Sequence, residues 1–83
     1  MQVTVTSQRS GSDWYWSPSS VTVTPGSTVT WTWSGTHNVV VQGLLNSDIG
    51  ADASASFTFG SAGTYAFYCA LHPTTMAGTV IVQ

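Results

Sequence analysis

Hydrophobic and polar residues alternate with a period of two along most of the chain. Val3 and Val5 alternate with threonines near the N-terminus, and the same pattern returns from Val29 to Trp33. β-Branched and aromatic residues with this spacing are typical of strands that bury one face. No stretch shows the 3.6-residue period of a long amphipathic helix. The pattern therefore predicts an all-β chain.

Turn-forming residues such as Pro25-Gly26 and Ser34-Gly35 divide the alternating segments into short strands. Seven or eight such strands predict an antiparallel β-sandwich of Greek-key type, as a single domain over residues 1–83. Residues 43–54 lack clear alternation and are expected to form a loop, in which a helical turn could occur. The predicted strands are 2–7, 13–16, 20–24, 27–33, 38–42, 55–59, 63–69 and 77–83.

Composition excludes several classes of function. Charged residues make up 5% of the 83 positions, with Arg9 as the single cation, whereas about 25% is usual. Nucleic-acid sites and membrane-surface helices need clusters of basic side chains, so neither is expected. No apolar run approaches the ~20 residues of a membrane span, and residues 2–10 do not resemble a signal peptide. Serine and threonine, 25 residues in all, supply most of the polar surface.

Four side chains that bind soft or borderline metals lie near predicted strand ends. Cys69, His72 and Met76 occupy one loop between the last two predicted strands, and His37 lies at the start of another strand. One thiolate, two imidazoles and one thioether suit copper, and a His₂Cys plane with a weak axial Met is the blue-copper arrangement. The pattern predicts a mononuclear site that cycles between Cu(II) and Cu(I) for one-electron transfer.

Each of these residues also has an ordinary structural interpretation. A lone cysteine at a strand end is most often a small buried hydrophobe, a loop histidine is usually a surface polar residue, and Met76 could fill the core. The copper interpretation depends on the combination. The chain has one cysteine, two histidines and one internal methionine, and all four suit the same metal.

The segments around these residues resemble the cupredoxin family of type 1 blue copper proteins, which includes plastocyanin, amicyanin and pseudoazurin. The matching segments are Trp16-Ser17-Pro18, Val29-Thr30-Trp31, His37-Asn38-Val39, Phe57-Thr58-Phe59, Gly63-Thr64-Tyr65, Tyr68-Cys69 and Gly78-Thr79-Val80. The resemblance covers almost the whole chain. The ligand loop reads Cys-x2-His-x3-Met, one residue shorter than in plastocyanin and one longer than in amicyanin.

The resemblance implies a role for each candidate ligand. Cys69 would form the short equatorial thiolate bond, His37 and His72 would bind through Nδ1, and Met76 would be the long axial ligand. Asn38 would brace the site: its backbone amide would bond the thiolate, and its side chain would tie the two ligand loops together.

The resemblance also implies how electrons enter and leave. His72 would present its ring edge as the electron port, and Leu71 and Pro73 would form an apolar docking patch with Leu44 or Leu45 nearby. The expected partners are redox proteins, and the expected protein is a monomer in the periplasm, a lumen or the extracellular space.

Other functions also fit these residues. The same ligands could serve a copper chaperone or store, the chain could be a cupredoxin domain cut from a larger redox protein, or the copper site could be vestigial. Zinc has little use for a methionine ligand. A Cys-His pair can form a nucleophile, but no group to orient a base is recognisable and no further histidine could build a second metal site. The chain is therefore not expected to be an enzyme.

Overall fold

The structure is a computed structural model that describes residues 2–11, 13–41, 43–47, 50–71 and 75–83. Within these ranges the secondary structure consists of strands alone, seven of them with four to nine residues. These seven are β1 (Gln2–Ser10), β2 (Asp13–Ser17), β3 (Ser20–Val23), β4 (Ser27–Thr32), β9 (Ser54–Phe59), β10 (Gly63–Tyr68) and β11 (Ala77–Val82). Four strands of two residues lie between them: β5 (Thr36–His37), β6 (Val40–Val41), β7 (Leu45–Asn46) and β8 (Gly50–Ala51).

Two main sheets form a sandwich, so the all-β prediction is confirmed. One sheet has the strand order β2-β1-β4-β9, and the other has the order β3-β11-β10-β6-β7. A small third sheet pairs β5 with β8. No helical segment with the length and apolar character of a membrane span occurs in the part of the chain that the structure describes.

Each main sheet contains one parallel pair, which the prediction of an antiparallel sandwich did not include. β1 runs parallel to β4, and β3 runs parallel to β11. Parallel neighbours require a crossover connection. The chain supplies the crossover by passing from the first sheet to the second between β2 and β3. Alternating polarity does not reveal this direction, because it marks a buried face in both kinds of pair.

The region from Thr36 to Ala51 is more divided than predicted. Of the strand expected at 38–42, the described residues form only β6 (Val40–Val41), and β5 (Thr36–His37), which precedes it, belongs to a different sheet. His37, Asn38 and Val39 are all buried, and three consecutive buried side chains do not fit a strand with one exposed face. The described residues of the expected 43–54 loop contain β7 and β8 and no helical turn.

The inner faces of the two main sheets meet in a core of valine and aromatic side chains. Trp31 is fully buried, and its ring centroid lies 5.3 Å from that of Phe67 and 6.4 Å from that of Phe59. The tilted, edge-on geometry is the one that aromatic pairs prefer. Val29 and Trp33 are buried on the same side as Trp31, as the alternation predicts.

The outer face of the four-stranded sheet carries hydroxyl side chains in register. Thr28 Oγ1 lies 2.9 Å from Thr58 Oγ1, and Thr30 Oγ1 lies 3.0 Å from Ser56 Oγ, on the adjacent strands β4 and β9. Cross-strand pairs of this kind contribute roughly 0.2–1 kcal/mol each. The β4–β9 part of this face is therefore polar and hydrogen-bonded without a charged side chain.

Candidate metal centre

His37 and Cys69 meet inside the sandwich although 32 positions separate them in the chain. His37 ends β5, and Cys69 directly follows β10, so each residue comes from a different sheet. The Sγ atom of Cys69 lies 3.7 Å from Nδ1 of His37. Both side chains are buried, with exposed fractions of 0% and 1%. A thiol and an imidazole thus face each other away from bulk water.

Met76 lies at the base of the loop that begins with Cys69. Its side chain is fully buried, directly before β11. The backbone amide of Cys69 donates a hydrogen bond of 2.9 Å to the carbonyl oxygen of Met76. This bond closes the loop at its base and holds the two residues next to each other.

His72 and Pro73 lie outside the described residues, so the roles expected for them remain predictions. Leu71 is described and is 47% exposed. Among the described residues, no three histidine, cysteine or acidic side chains gather in one place. Of the three predicted ligands that the structure describes, only His37 and Cys69 are of these residue types. The third, Met76, is a thioether.

Asn38 connects the segment that carries His37 to the segment that carries Cys69. Its Oδ1 accepts a hydrogen bond of 2.8 Å from the backbone amide of Ala70, and its Nδ2 donates a longer one of 3.5 Å to the carbonyl oxygen of Ser47. Asn38 is 3% exposed, so water cannot easily replace these partners. Its side chain therefore fixes the two segments relative to each other.

Ser47 is a supporting residue that the sequence analysis did not identify. Its Oγ accepts a hydrogen bond of 2.8 Å from the amide of Val39, and its own amide donates one of 3.0 Å to the carbonyl oxygen of Val39. These bonds hold the backbone that follows Asn38. Serine is too common in this chain for its position alone to have signalled this contact.

Gly35 and Asp52 fix the turn that precedes His37. The Gly35 amide donates a hydrogen bond of 2.8 Å to Oδ1 of Asp52, and the Asp52 amide donates one of 3.2 Å to the Gly35 carbonyl oxygen. Gly35 has a φ of 77° and Asp52 a φ of 53°, a left-handed region that glycine and aspartate tolerate better than most residues. The two residues thereby set the direction in which β5 starts.

Trp14 contacts the His37 ring from the edge strand β2. The two ring centroids are 4.7 Å apart, with an angle of 66° between the planes. Trp14 itself is half-buried. No sequence pattern places the two residues together, because the contact depends on how the edge of one sheet lies against the short β5–β8 sheet.

The donor pair has the spacing that a shared metal ion requires. A thiolate and an imidazole bound to one ion at about 2.0–2.3 Å, with bonds about 120° apart, place their donor atoms roughly 3.7 Å from each other. The Sγ–Nδ1 distance has this value. A thiol–imidazole hydrogen bond can have the same length. The soft thiolate, together with the buried thioether of Met76, makes copper the metal that fits this donor set.

Comparisons with known proteins agree with this chemistry. A family model described as "Copper binding proteins, plastocyanin/azurin family" matches residues 2–83. No curated protein sequence matches the chain.

Three solved structures illustrate the likeness. The reduced Cu(I) form, at pH 4, of a proline-to-glycine mutant of amicyanin is 30% identical, with a TM-score of 0.80 over 98% of this chain and 81% of its own. A purple cupredoxin from Nitrosopumilus maritimus is 26% identical, with a TM-score of 0.81 over 98% of this chain and 99% of its own. An oxidized methionine-to-lysine mutant of amicyanin is 28% identical, with a TM-score of 0.81 over 98% of this chain and 81% of its own. The chain belongs to the plastocyanin/azurin family of copper-binding proteins, the cupredoxins.

Proposed function

We propose that this protein is a one-electron carrier that binds a single type 1 copper ion through His37, Cys69, His72 and Met76. The observation that carries the proposal is the 3.7 Å approach of the buried Cys69 Sγ to Nδ1 of His37, in a chain of a copper-binding family. The bound ion would supply a Cu(II)/Cu(I) couple. A carrier of this kind has no substrate and catalyses no bond change.

The residues around the donor atoms suit a metal that changes oxidation state in place. His37 and Cys69 are attached to different sheets, and Asn38 joins their segments through the Ala70 amide. The hydrogen bond between Cys69 and the Met76 carbonyl closes the ligand loop at its base. Donors held in this way move little when the charge of the ion changes, which favours fast electron exchange.

The proposed route for electrons passes through His72 at the surface, with Leu71 and Pro73 beside it. Leu71 and Leu44 are 47% and 45% exposed, and exposed large apolar side chains suit brief contact with a redox protein partner. We propose a monomeric protein of the periplasm, a lumen or the extracellular space. Because the chain has so few charges, its association rate with the partner should depend little on ionic strength.

A copper titration tests the proposal. Reduced metal-free protein is titrated with Cu(II) and followed by visible absorption and electron paramagnetic resonance. An intense blue band with narrow copper hyperfine splitting, complete at one equivalent, is the expected result. A reversible one-electron wave in voltammetry then tests the carrier role.

Cys69→Ser is the matched variant, since it replaces sulfur by oxygen at the same position. It should remove the blue band while circular dichroism shows an unchanged fold. A wild-type protein that gives no intense band would contradict the proposal. In that case the 3.7 Å approach would be a thiol–imidazole hydrogen bond.

A further inference from the structure

Trp14 contacts both the only cation of the chain and the buried ring of His37. The guanidinium carbon of Arg9 lies 5.6 Å from the centroid of the Trp14 ring, a distance at which a cation is attracted to an aromatic face. Arg9 and Trp14 are register partners on the antiparallel strands β1 and β2. Arg9 is held in turn by a hydrogen bond of 2.9 Å from its Nε to the Gly11 carbonyl oxygen.

Gly35 also lies against the imidazole. A methyl group placed on Gly35 would lie 3.5 Å from Cζ2 of Trp14 and 3.5 Å from Nε2 of His37. The Gly35 backbone therefore lies close to both rings. The imidazole is bounded by this backbone near Nε2, by the Trp14 ring, and by the Cys69 sulfur at Nδ1.

The χ2 torsion of a histidine side chain has a broad distribution, so contacts with the ring are needed to fix its plane. Residues that touch a metal-binding histidine commonly set the orientation of its ring and the access of solvent to it. Trp14 reaches His37 from β2, the edge strand of the four-stranded sheet, so this ring contact ties the imidazole to that sheet.

We propose that Trp14 is a positioning residue that fixes the plane of the His37 imidazole and keeps water away from it, and that Arg9 holds Trp14 in place. The ring contact does not require metal. Only its consequence for copper rests on the proposed function.

The first test uses metal-free protein. Trp14→Ala is compared with wild type, with Trp14→Phe, which retains a ring, and with Tyr15→Ala. Tyr15 is the next residue on β2 and is 41% exposed, which makes it the matched control. Two readouts are specific for His37: the NMR shifts of its ring protons, which an adjacent indole displaces, and its rate of modification by diethyl pyrocarbonate, measured by peptide mass spectrometry.

We expect Trp14→Ala to shift the His37 ring resonances and to raise the modification rate of His37 several-fold. Trp14→Phe should restore part of the protection, Arg9→Ala should lose part of it, and Tyr15→Ala should match wild type. If Trp14→Ala does not fold, the comparison of Arg9→Ala and Trp14→Phe with wild type decides. A His37 ring with unchanged shifts and reactivity in the folded variants would overturn the proposal.

The second test uses copper-loaded protein. Release of copper to a Cu(I) chelator should be several-fold faster from Trp14→Ala than from wild type, and the copper hyperfine splitting should change because the ring is no longer fixed. If wild type binds no copper, the proposed function fails while the metal-free result still decides the role of Trp14. If wild type binds copper and both the release rate and the splitting are unchanged, the positioning role is wrong.

Discussion

The Oδ1 atom of Asn38 accepts a hydrogen bond of 2.8 Å from the backbone amide of Ala70. One buried side chain thereby joins two segments that are 32 positions apart and that carry, one residue earlier in each case, His37 and Cys69. The geometry of the donor pair is therefore coupled to an amide that itself binds no metal.

Replacing Asn38 by alanine should destabilise the metal-free protein. The Ala70 amide and the Ser47 carbonyl would lose a buried partner, which costs about 1–3 kcal/mol. Urea denaturation should show a lower midpoint with an unchanged slope. Asn46→Ala is the control, because Asn46 is exposed on β7. Equal midpoints for the two variants would show that Asn38 is not a brace.

Gly78→Ala should be strongly destabilising, because a methyl group at Gly78 would overlap the Ser19 carbonyl oxygen and the Phe67 ring. Overpacking of this kind costs about 1–3 kcal/mol or more, and neither the backbone nor the buried ring can easily move. Gly60→Ala is the matched control, since a methyl there meets no atom within 4 Å. Thermal unfolding should separate the two variants clearly. A Gly78→Ala protein as stable as Gly60→Ala would contradict the packing around β11.

Asp52→Ala should loosen the turn before His37 by removing the acceptor for the Gly35 amide. A lost hydrogen bond of this kind costs about 1 kcal/mol, and the positive φ at Asp52 adds strain for alanine. Asp52→Asn should restore most of the stability, because asparagine keeps the oxygen and tolerates this backbone region. Chemical denaturation measures both variants, and an Asn variant no better than Ala would point to the charge rather than to the hydrogen bond.

Copper should raise the melting temperature of the protein. A ligand that binds only the folded state stabilises it by about 4 kcal/mol at a thousandfold excess over Kd, which is a large share of the stability of a small domain. Calorimetry with and without one equivalent of copper measures the shift. Cys69→Ser should show a much smaller shift, and equal melting temperatures for the two forms of wild type would count against a copper site in the folded protein.

Met76→Gln should keep a coloured site but lower its reduction potential. An amide oxygen is a harder donor than a thioether, so it favours Cu(II) over Cu(I). Voltammetry and the visible spectrum of the same sample test the two parts of this prediction. An unchanged potential would argue that Met76, although buried, serves as core packing and not as a ligand.

The strands that form the core could be predicted from the sequence because each buries one face. Val29, Trp31 and Trp33 alternate with polar residues, and all three are buried. Alternation does not predict the segment from His37 to Val39, because three consecutive side chains are buried there. Alternation also does not indicate strand direction, so it did not predict the parallel pairs of β1 with β4 and of β3 with β11.

The donor types of the proposed site are visible in the sequence, whereas the contacts that support His37 and Cys69 are not. Thiolate, imidazole and thioether donors favour copper by their chemical type, so the copper prediction needs no knowledge of the fold. The contact of Trp14 with His37 and the hydrogen bonds of Ser47 have no signature in the sequence. Their roles follow from how the sheets cross, which alternation does not encode. The position of His72 remains a prediction.

The paired hydroxyl groups on the outer face of the four-stranded sheet give the protein a surface polarity that does not depend on ionisation. A threonine or serine hydroxyl carries no charge in either mildly acidic or alkaline buffer, because it acts only as a neutral hydrogen-bond donor and acceptor. The hydration of this face should therefore be nearly the same in mildly acidic and alkaline buffers. The solubility of the protein should therefore change less with the pH of the buffer than the solubility of a highly charged domain of equal size.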